Sequence, residues 1–202
     1  MANRRPFIIL VGKSGSGKDY LIKKIQEKYP SIKEVLSSTT REPRYEGEDT
    51  HKFVTEEQYL KDKESGNMIA YTFFQGNHYY ATKEDLRDAD IYILDPDGVK
   101  SFKYNNYFKI DSSDDYYDKN LVAIHNPSSD ETPNTREVIV VYLHCPLLKR
   151  LYRLIKRDGF KKGIKRLLYD YNKFKTDIEY DQILVQKYAY DDLINLLLII
   201  ED

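Results

Sequence analysis

A glycine-rich loop near the start of the chain constrains the fold more than any other feature. Residues 12–19 read Gly-Lys-Ser-Gly-Ser-Gly-Lys-Asp and directly follow the apolar run Phe7–Val11. The glycines let backbone amides turn toward phosphate oxygens, and the lysine of a G-x-x-x-x-G-K sequence neutralises the outer phosphates. We therefore predict a buried strand, a loop that binds a nucleoside triphosphate and a helix in succession. The expected phosphate-binding residues are Gly12, Ser14, Gly15, Ser16, Gly17, Lys18 and Asp19.

The last residue of this loop departs from the usual pattern. Asp19 stands where such loops carry the Ser or Thr that holds Mg²⁺. A carboxylate is a harder, charged ligand for the same ion. We therefore expect Mg²⁺ to be the cofactor and Asp19 to be its ligand in the protein.

The rest of the chain alternates between strand and helix patterns. Apolar residues at helical spacing predict a helix over Lys18–Lys28, and Pro30 ends it. Strands are predicted within 33–44 and at 51–54, 68–74, 78–81, 89–94, 137–143 and 183–185. Further helices are predicted at 55–63, 99–104, 146–157, 162–175 and 191–200. This alternation predicts an α/β fold with a parallel sheet covered by helices on both faces.

The charge balance excludes several classes of function. The 32 Lys and Arg residues nearly cancel the 33 Asp and Glu residues, so the chain lacks the basic surplus that marks nucleic-acid or anionic-membrane binding. The aliphatic run 196–200 is far too short to span a bilayer. We expect a cytoplasmic protein. Cys145 is the single cysteine and the four histidines show no paired spacing, so neither an internal disulfide nor a zinc site is expected.

Several segments downstream of the loop resemble the guanylate kinase family. Residues 37–44 read S-S-T-T-R-E-P-R and are similar to the acceptor-binding T-T-R-x-P-R segment of that family. Residues 76–80, G-N-H-Y-Y, resemble its G-N-x-Y-G segment, and residues 93–100, I-L-D-P-D-G-V-K, resemble its I-L-D-x-D and G-V-K residues. Residues 157–159 and 165–167 resemble its lid. The resemblance covers most of the chain outside 103–134.

The resemblance implies a fold, an activity and a set of ligands. The implied architecture is one domain, 1–202, of the P-loop type. Its parts are a core of 1–34, 88–145 and 176–202, an inserted mixed α/β acceptor-binding subdomain of 35–87 and a helical lid of 146–175. The implied reaction is transfer of the γ-phosphoryl group of ATP to a nucleoside monophosphate, with GMP or dGMP expected first. ATP and a small phosphorylated acceptor are the implied partners, and the oligomeric state stays open.

The resemblance also assigns roles to individual residues. By this resemblance the acceptor-binding residues are Ser37, Arg41, Arg44, Tyr79, Asp95 and His51, which takes the place of a family tyrosine. The catalytic residues would be Lys18, Arg41, Arg157 and Arg166, with Arg150 or Arg153 as a further lid arginine. Arg41 and Arg44 lie three residues apart on a loop. Apart from the resemblance, this spacing allows both side chains to make bidentate hydrogen bonds to one phosphate.

Departures from the family pattern bear on the acceptor. Ala70 falls where the family carries a glutamate that pairs with the guanine edge, and an alanine cannot make that discrimination. The insertion at 103–134 and the shortened segment 95–98 would change the shape of the region that is expected to bind the acceptor. The Gly-Lys-Asp ending also resembles the loops of ribose 1,5-bisphosphate phosphokinases. A kinase of such a phosphorylated sugar is therefore one alternative. A non-catalytic guanylate-kinase-like binding module is the other, although the complete phosphate loop argues against it.

Overall fold

The computed structural model describes residues 5–106, 121–124, 134–175 and 179–198. The elements in chain order are β1 (Phe7–Val11), α1 (Lys18–Lys28), β2 (Ser38–Thr39), β3 (Lys52–Phe53), α2 (Glu56–Glu64), β4 (Met68–Phe74), β5 (Asn77–Thr82), α3 (Lys83–Leu86), β6 (Ile91–Leu94), α4 (Pro96–Asn106), β7 (Leu121–Ile124), β8 (Asn134–His144), α5 (Leu147–Asp158), α6 (Phe160–Lys173), β9 (Gln182–Val185) and α7 (Ala189–Leu198).

Four parallel strands form the central sheet in the order β6-β1-β8-β9. The short strand β7 pairs antiparallel with the first residues of β8. In the register of the sheet, Ile9 of β1 lies opposite Tyr92 on one side and Val140 on the other. Every residue of β1 is fully buried, as expected for a parallel strand covered on both faces. The predicted α/β fold is confirmed.

Apolar side chains pack on both faces of this sheet. On one face, Ile8 and Leu10 belong to a cluster with Ile22 and Ile25 of α1 and Leu193 of α7. On the other face, Phe7 and Ile9 pack with α4, and the rings of Phe7 and Phe102 stack with their centroids 5.8 Å apart. The carboxyl end of β1, and the glycine-rich loop that follows it, is thereby held in a fixed position.

A second sheet of four strands has the order β3-β2-β5-β4. Strands β4 and β5 form an antiparallel hairpin in which Ala70 lies opposite Ala81, and β2 pairs parallel with β3. Helix α4 packs against β4, and the backbone amide of Tyr71 donates a hydrogen bond to Ser101 Oγ at 3.1 Å. Because α4 directly follows β6, this contact places the second sheet beside the carboxyl edge of the central sheet.

Helices α5 and α6 form a tight helix pair. Pro146 precedes α5, and Gly159 separates the two helices. At Gly163 the helices approach so closely that an added Cβ would lie 3.1 Å from the backbone of Leu154 and Ile155. This contact fixes the two helices against each other.

The predicted boundaries agree with the structure most closely where the sequence signal is local. The bounds of β1, α1 and β4 match the prediction. Helix α6 begins and ends two residues earlier than expected, and within 33–44 only β2 forms a strand. Strand β7 lies inside the insertion and was not predicted, and 107–120 and 125–133 lie outside the described residues. Within the described ranges, no helix is both long and apolar enough to cross a membrane.

Candidate active site

The glycine-rich loop opens the N-terminus of α1. Gly15 and Gly17 have φ angles of 76° and 95°, in the left-handed region that glycine enters without strain. Gly17 is the N-cap of α1, so the unpaired amides of the first turn and the positive end of the helix dipole lie at the loop. Lys18 donates from Nζ to the carbonyl oxygen of Gly12 at 2.6 Å. The loop thus has the geometry of an anion-binding cradle.

The pKa of Lys18 lies below its ordinary value because the ammonium group is buried. The carboxylates of Asp19, Asp170 and Asp95 oppose this effect. Anionic groups therefore surround the lysine, and they compensate part of the cost of burying its charge.

A cavity of about 200 Å³ separates the loop from the second sheet. On the loop side it is lined by Gly12, Ser14 and Lys18. The predicted acceptor-binding residues that line it are Ser37, His51, Tyr79 and Asp95. Its aromatic lining consists of Tyr71, Phe74, Tyr79, Tyr92, Tyr169 and Phe174. The structure therefore brings three of the predicted donor-phosphate residues and four of the predicted acceptor residues to one cavity.

Arg41 and Arg44 bind a shared carboxylate, Glu48, beside this cavity rather than lining it. Arg41 makes two contacts with the carboxylate, Nη2 to Oε1 at 2.9 Å and Nη1 to Oε2 at 3.2 Å. Arg44 donates its backbone amide at 2.6 Å and Nη1 at 3.1 Å. Thr50 donates its hydroxyl at 2.7 Å. Glu48 therefore fixes both arginines, a role that the sequence analysis missed.

The pKa of Glu48 is lowered to about 2. The hydrogen bond from Arg41 is the largest cause, and burial opposes it. The amide of Arg44 and the hydroxyl of Thr50 lower the pKa further. The carboxylate therefore stays ionised in the folded protein, and it carries one negative charge against two arginines.

The predicted polar partners of the acceptor lie in the cavity wall. Ser37 donates from Oγ to the hydroxyl of Tyr92 at 3.2 Å. The rings of His51 and Tyr79 meet edge to face with centroids 5.5 Å apart, and Nδ1 of His51 contacts the carbonyl of Thr50. Burial lowers the pKa of His51, and Arg41 and Arg44 lower it further. His51 is therefore neutral at pH 7.

The predicted arginines of the helix pair come together on Asp158. Arg157 makes two 3.0 Å hydrogen bonds to its carboxylate, and Arg166 lies 3.4 Å from it. The Arg166 guanidinium also lies over the ring of Phe74, 5.8 Å from the centroid. Burial lowers the pKa of Arg166, and Arg157 and Arg44 add to this while Asp158 opposes it. The arginines of the helix pair and of the acceptor loop thus influence one another electrostatically.

Asp95 lines the cavity, but its carboxylate is already bound. Oδ1 accepts from the amide of Gly98 at 2.8 Å, and Oδ2 accepts from Thr72 Oγ1 at 3.0 Å and from Lys173 Nζ at 2.5 Å. Lys173 belongs to the last turn of α6, and the sequence analysis did not assign it. Asp95 therefore joins the central sheet, the second sheet and the helix pair.

A buried ion pair joins the helix pair to the phosphate loop. Asp170 accepts from the amide of Ser14 at 2.6 Å and from its hydroxyl at 3.0 Å. Arg150 donates to Asp170 and to the Ser14 carbonyl, both at 3.0 Å, and Arg153 donates to the carbonyls of Gly15 and Ser16. Arg150 and Arg153 thus both contact the loop. Asp170 was missed, although its spacing from Arg166 and Lys173 places all three on one helical face.

Asp19 is exposed in the first turn of α1. Among the described residues, no three His, Cys, Asp or Glu side chains come together as a metal-binding group. One carboxylate at the start of the helix nevertheless fits Mg²⁺, because this ion is usually bound by one or two carboxylates, water and substrate phosphates.

A second cavity, of about 340 Å³, lies on the other side of the loop. It reaches from Gly17 to Tyr190 of α7 and has Lys24, Lys149 and Arg153 in its wall. Gln186 donates from Nε2 to the carbonyl of Ser16 at 3.2 Å, so this cavity borders the phosphate loop directly. The loop therefore separates two cavities.

The fold and the site define a P-loop α/β protein with an added mixed sheet and a helix pair that folds over the loop. The family model for guanylate kinase matches residues 3–102. Guanylate kinase of Helicobacter pylori strain 26695 is 28% identical over 195 residues, which cover 93% of this chain and 82% of that protein. The chain belongs to the guanylate kinase family, as a distant member. Enzymes of that family are ATP-dependent nucleoside monophosphate kinases.

Two further comparisons agree with this assignment. Guanylate kinase of Sus scrofa is 38% identical over 113 residues, covering 51% of this chain and 56% of the relative. The solved structure of guanylate kinase from Anaplasma phagocytophilum matches with a TM-score of 0.56 and 19% identity, covering 97% of this chain and 87% of that one. At this identity the structural match supports the fold.

Proposed function

We propose that this protein transfers the γ-phosphoryl group of ATP to a nucleoside monophosphate, with GMP or dGMP as the first expected acceptor. The observation that carries the proposal is that one cavity is lined by Lys18 of the phosphate loop and by Ser37 and Tyr79 of the acceptor segment. Phosphoryl transfer requires donor and acceptor phosphates to meet in line, with cations close to both. A cavity lined by residues of both segments supports this proposal.

The acceptor phosphate would lie between Arg41, Arg44 and the arginines of the helix pair. The buried Nε atom of Arg41 has no hydrogen-bond partner among the described residues. A buried N–H without an acceptor is costly, and a phosphate oxygen would satisfy it. Glu48 holds the two arginines before the acceptor arrives, which reduces the ordering that binding requires.

The donor would be held by the loop. The amides of the loop and of the α1 N-terminus suit the phosphates of ATP, and the second cavity beside Gly17 suits its nucleoside. Lys18 would neutralise the transferred group. Asp19 would hold Mg²⁺, which when bound supplies charge neutralisation at the donor phosphates. Helices α5 and α6 would act as the lid that excludes water.

The aromatic lining favours a nucleoside over a sugar phosphate as acceptor. Phe74, Tyr92 and Phe174 offer planar apolar surface that a nucleobase covers and a bisphosphorylated ribose does not. The sugar-phosphate kinase suggested by Asp19 and by Ala70 is therefore the second candidate.

The test is a screen for ADP release with ATP and Mg²⁺ across all ribo- and deoxynucleoside monophosphates and ribose 1,5-bisphosphate. We expect release with GMP and dGMP. Release with the sugar phosphate alone would replace the first candidate by the second. Binding of ATP, seen as a rise in melting temperature, without turnover of any acceptor would indicate a binding module instead.

A further inference from the structure

His51 has one ring nitrogen without a hydrogen and without a protein partner. Its Nδ1 contacts the carbonyl oxygen of Thr50, which only accepts hydrogen bonds, so Nδ1 carries the hydrogen. The neutral imidazole has a single ring hydrogen, and Nε2 is therefore a hydrogen-bond acceptor. Among the described residues, Nε2 makes no hydrogen bond. Because His51 lines the cavity between the loop and the second sheet, this nitrogen is open to a ligand or to water there.

Aromatic neighbours hold the His51 ring in one group with Arg41. The ring meets that of Tyr79 edge to face with centroids 5.5 Å apart, and its centroid lies 6.4 Å from that of Phe53. The Arg41 guanidinium lies over the same Phe53 ring, 5.2 Å from the centroid. The buried Nε of Arg41 also lacks a partner among the described residues. The acceptor segment thus presents an unused donor on Arg41 and an unused acceptor on His51.

The charges that act on His51 come from the acceptor loop and from α1. Burial disfavours a positive charge on the ring most strongly, and Arg41 and Arg44 of the loop between β2 and β3 disfavour it further. Asp19 of α1 and the carbonyl of Thr50 favour it. The balance keeps the pKa of His51 below its ordinary value in the protein without ligands.

A bound phosphate monoester would change this balance. Its second pKa is about 6, so above neutral pH it is a dianion whose oxygens only accept hydrogen bonds. On Arg41 and Arg44 it would offset the positive charge that keeps His51 neutral. An unprotonated Nε2 beside a phosphate oxygen would place two acceptors against each other, and one proton between them replaces this repulsion by a charge-assisted hydrogen bond.

We infer that His51 takes up a proton when the acceptor phosphate binds, and that its Nε2 then donates to a phosphate oxygen. This inference rests on the proposed function, which places that phosphate beside Arg41 and Arg44. His51 is thereby a third cation of the acceptor site, charged only while the acceptor is bound. Because binding takes up a proton, the affinity for the acceptor falls as the pH rises.

The first test is calorimetry of GMP binding at pH 7.5 without ATP or Mg²⁺, in HEPES and in Tris buffer. The ionisation enthalpies of these buffers differ, so the two binding enthalpies give the number of protons exchanged. We expect uptake of at least about half a proton per GMP, and an affinity that falls about threefold or more per pH unit between pH 7 and 8.5. A smaller uptake, or a release of protons, would overturn the inference.

The second test assigns the proton to His51. H51Q and H51Y each place a donor that does not titrate in this range, so the uptake should vanish and the affinity should become independent of pH above 7. H144Q is the matched control, because His144 is exposed and does not line the cavity, and it should keep the uptake. Unchanged uptake in H51Q and H51Y would overturn the inference. Circular dichroism shows whether each variant is folded, and the protons exchanged per bound GMP do not depend on the amount of active protein.

These outcomes separate the inference from the proposed function. GMP binding with proton uptake but without ADP release in the presence of ATP and Mg²⁺ would overturn phosphoryl transfer and support the role of His51. ADP release with GMP but without proton uptake on binding would support the transfer and overturn the role of His51. Absence of binding by both GMP and ribose 1,5-bisphosphate would overturn both.

Discussion

The carboxylate of Asp170 accepts a 2.6 Å hydrogen bond from the backbone amide of Ser14. An acidic side chain of α6 therefore lies at an amide of the phosphate loop, a place that suits a phosphate oxygen. Both partners of the Asp170–Arg150 pair are 5% exposed, so the surrounding water screens this charge weakly. If the loop binds a donor triphosphate as proposed, we expect its phosphates to compete with Asp170 for this amide.

The substitution D170N tests this competition. Asparagine keeps the shape and can still accept from Arg150, but it removes the negative charge. We expect ATP to bind about three- to tenfold more tightly, as measured by calorimetry with Mg²⁺ present. D191N, which removes an exposed acid of α7, is the control and should leave the affinity unchanged. Weaker ATP binding by D170N would show that Asp170 supports the loop instead.

Because of Glu48, we expect the free energy of unfolding to depend on pH in the acid range. Its pKa is about 2 in the folded protein and 4.5 without these contacts, so its stabilisation is complete above pH 4.5. The free energy of unfolding should fall as the pH drops from 4.5 toward 2, because the unfolded chain takes up the proton first. E48Q should lower the free energy of unfolding at pH 7 by about 2 kcal/mol and flatten this dependence. Urea unfolding between pH 3 and pH 7 measures both effects, and a parallel pH curve in E48Q would contradict the assignment.

Glu34 should make the free energy of unfolding fall, rather than rise, as the pH increases toward neutrality. Burial and the nearby charge of Asp19 raise its pKa to about 7, and Lys23 opposes them. Between pH 4.5 and 7 the unfolded chain loses the proton first, so the free energy of unfolding falls as the pH rises through this range. E34Q should remove this fall in thermal melts. D19N should lower the pKa of Glu34, which carbon-detected NMR titration of its carboxyl group measures directly.

Asp19 should set the magnesium requirement of turnover. In D19N the carboxylate is lost at nearly constant shape, so we expect the Mg²⁺ concentration for half-maximal ADP release to rise about tenfold. D19S restores the hydroxyl that related loops carry and should stay close to the unmodified protein. If D19N and the unmodified protein respond to Mg²⁺ alike, the carboxylate is not a ligand.

The sequence predicted the parts of the site that depend on contiguous residues. The loop geometry, the start of α1 at Lys18 and the full extent of β4 follow from local spacing and turn residues. The cavity shared by Lys18, Ser37 and Tyr79 follows from the resemblance together with the placement of ligands at the carboxyl ends of parallel strands.

The missed residues act through partners that are distant in sequence. Asp170 meets Ser14 across 156 positions, and Lys173 meets Asp95 across 78. On the sequence alone each is an ordinary charge on a basic helix, and only the folding of α6 over the cavity gives it a partner. Glu48 is close in sequence to its partners, Thr50 and the two arginines. The sequence alone does not show that these side chains converge on one buried carboxylate. Strand β7 was missed because its four apolar residues lie within a long polar segment, and in the structure they pair with β8.

Because of the close contact at Gly163, we expect helices α5 and α6 to move as one body. Asp170 at the phosphate loop and Lys173 at the far end of the cavity lie three residues apart on that body, about 4.5 Å along the axis. A rotation that lifts Asp170 from Ser14 must also displace Lys173 from Asp95. If the protein binds a donor and an acceptor as proposed, we expect their occupancies to be thermodynamically linked, with each ligand altering the affinity for the other by the same factor.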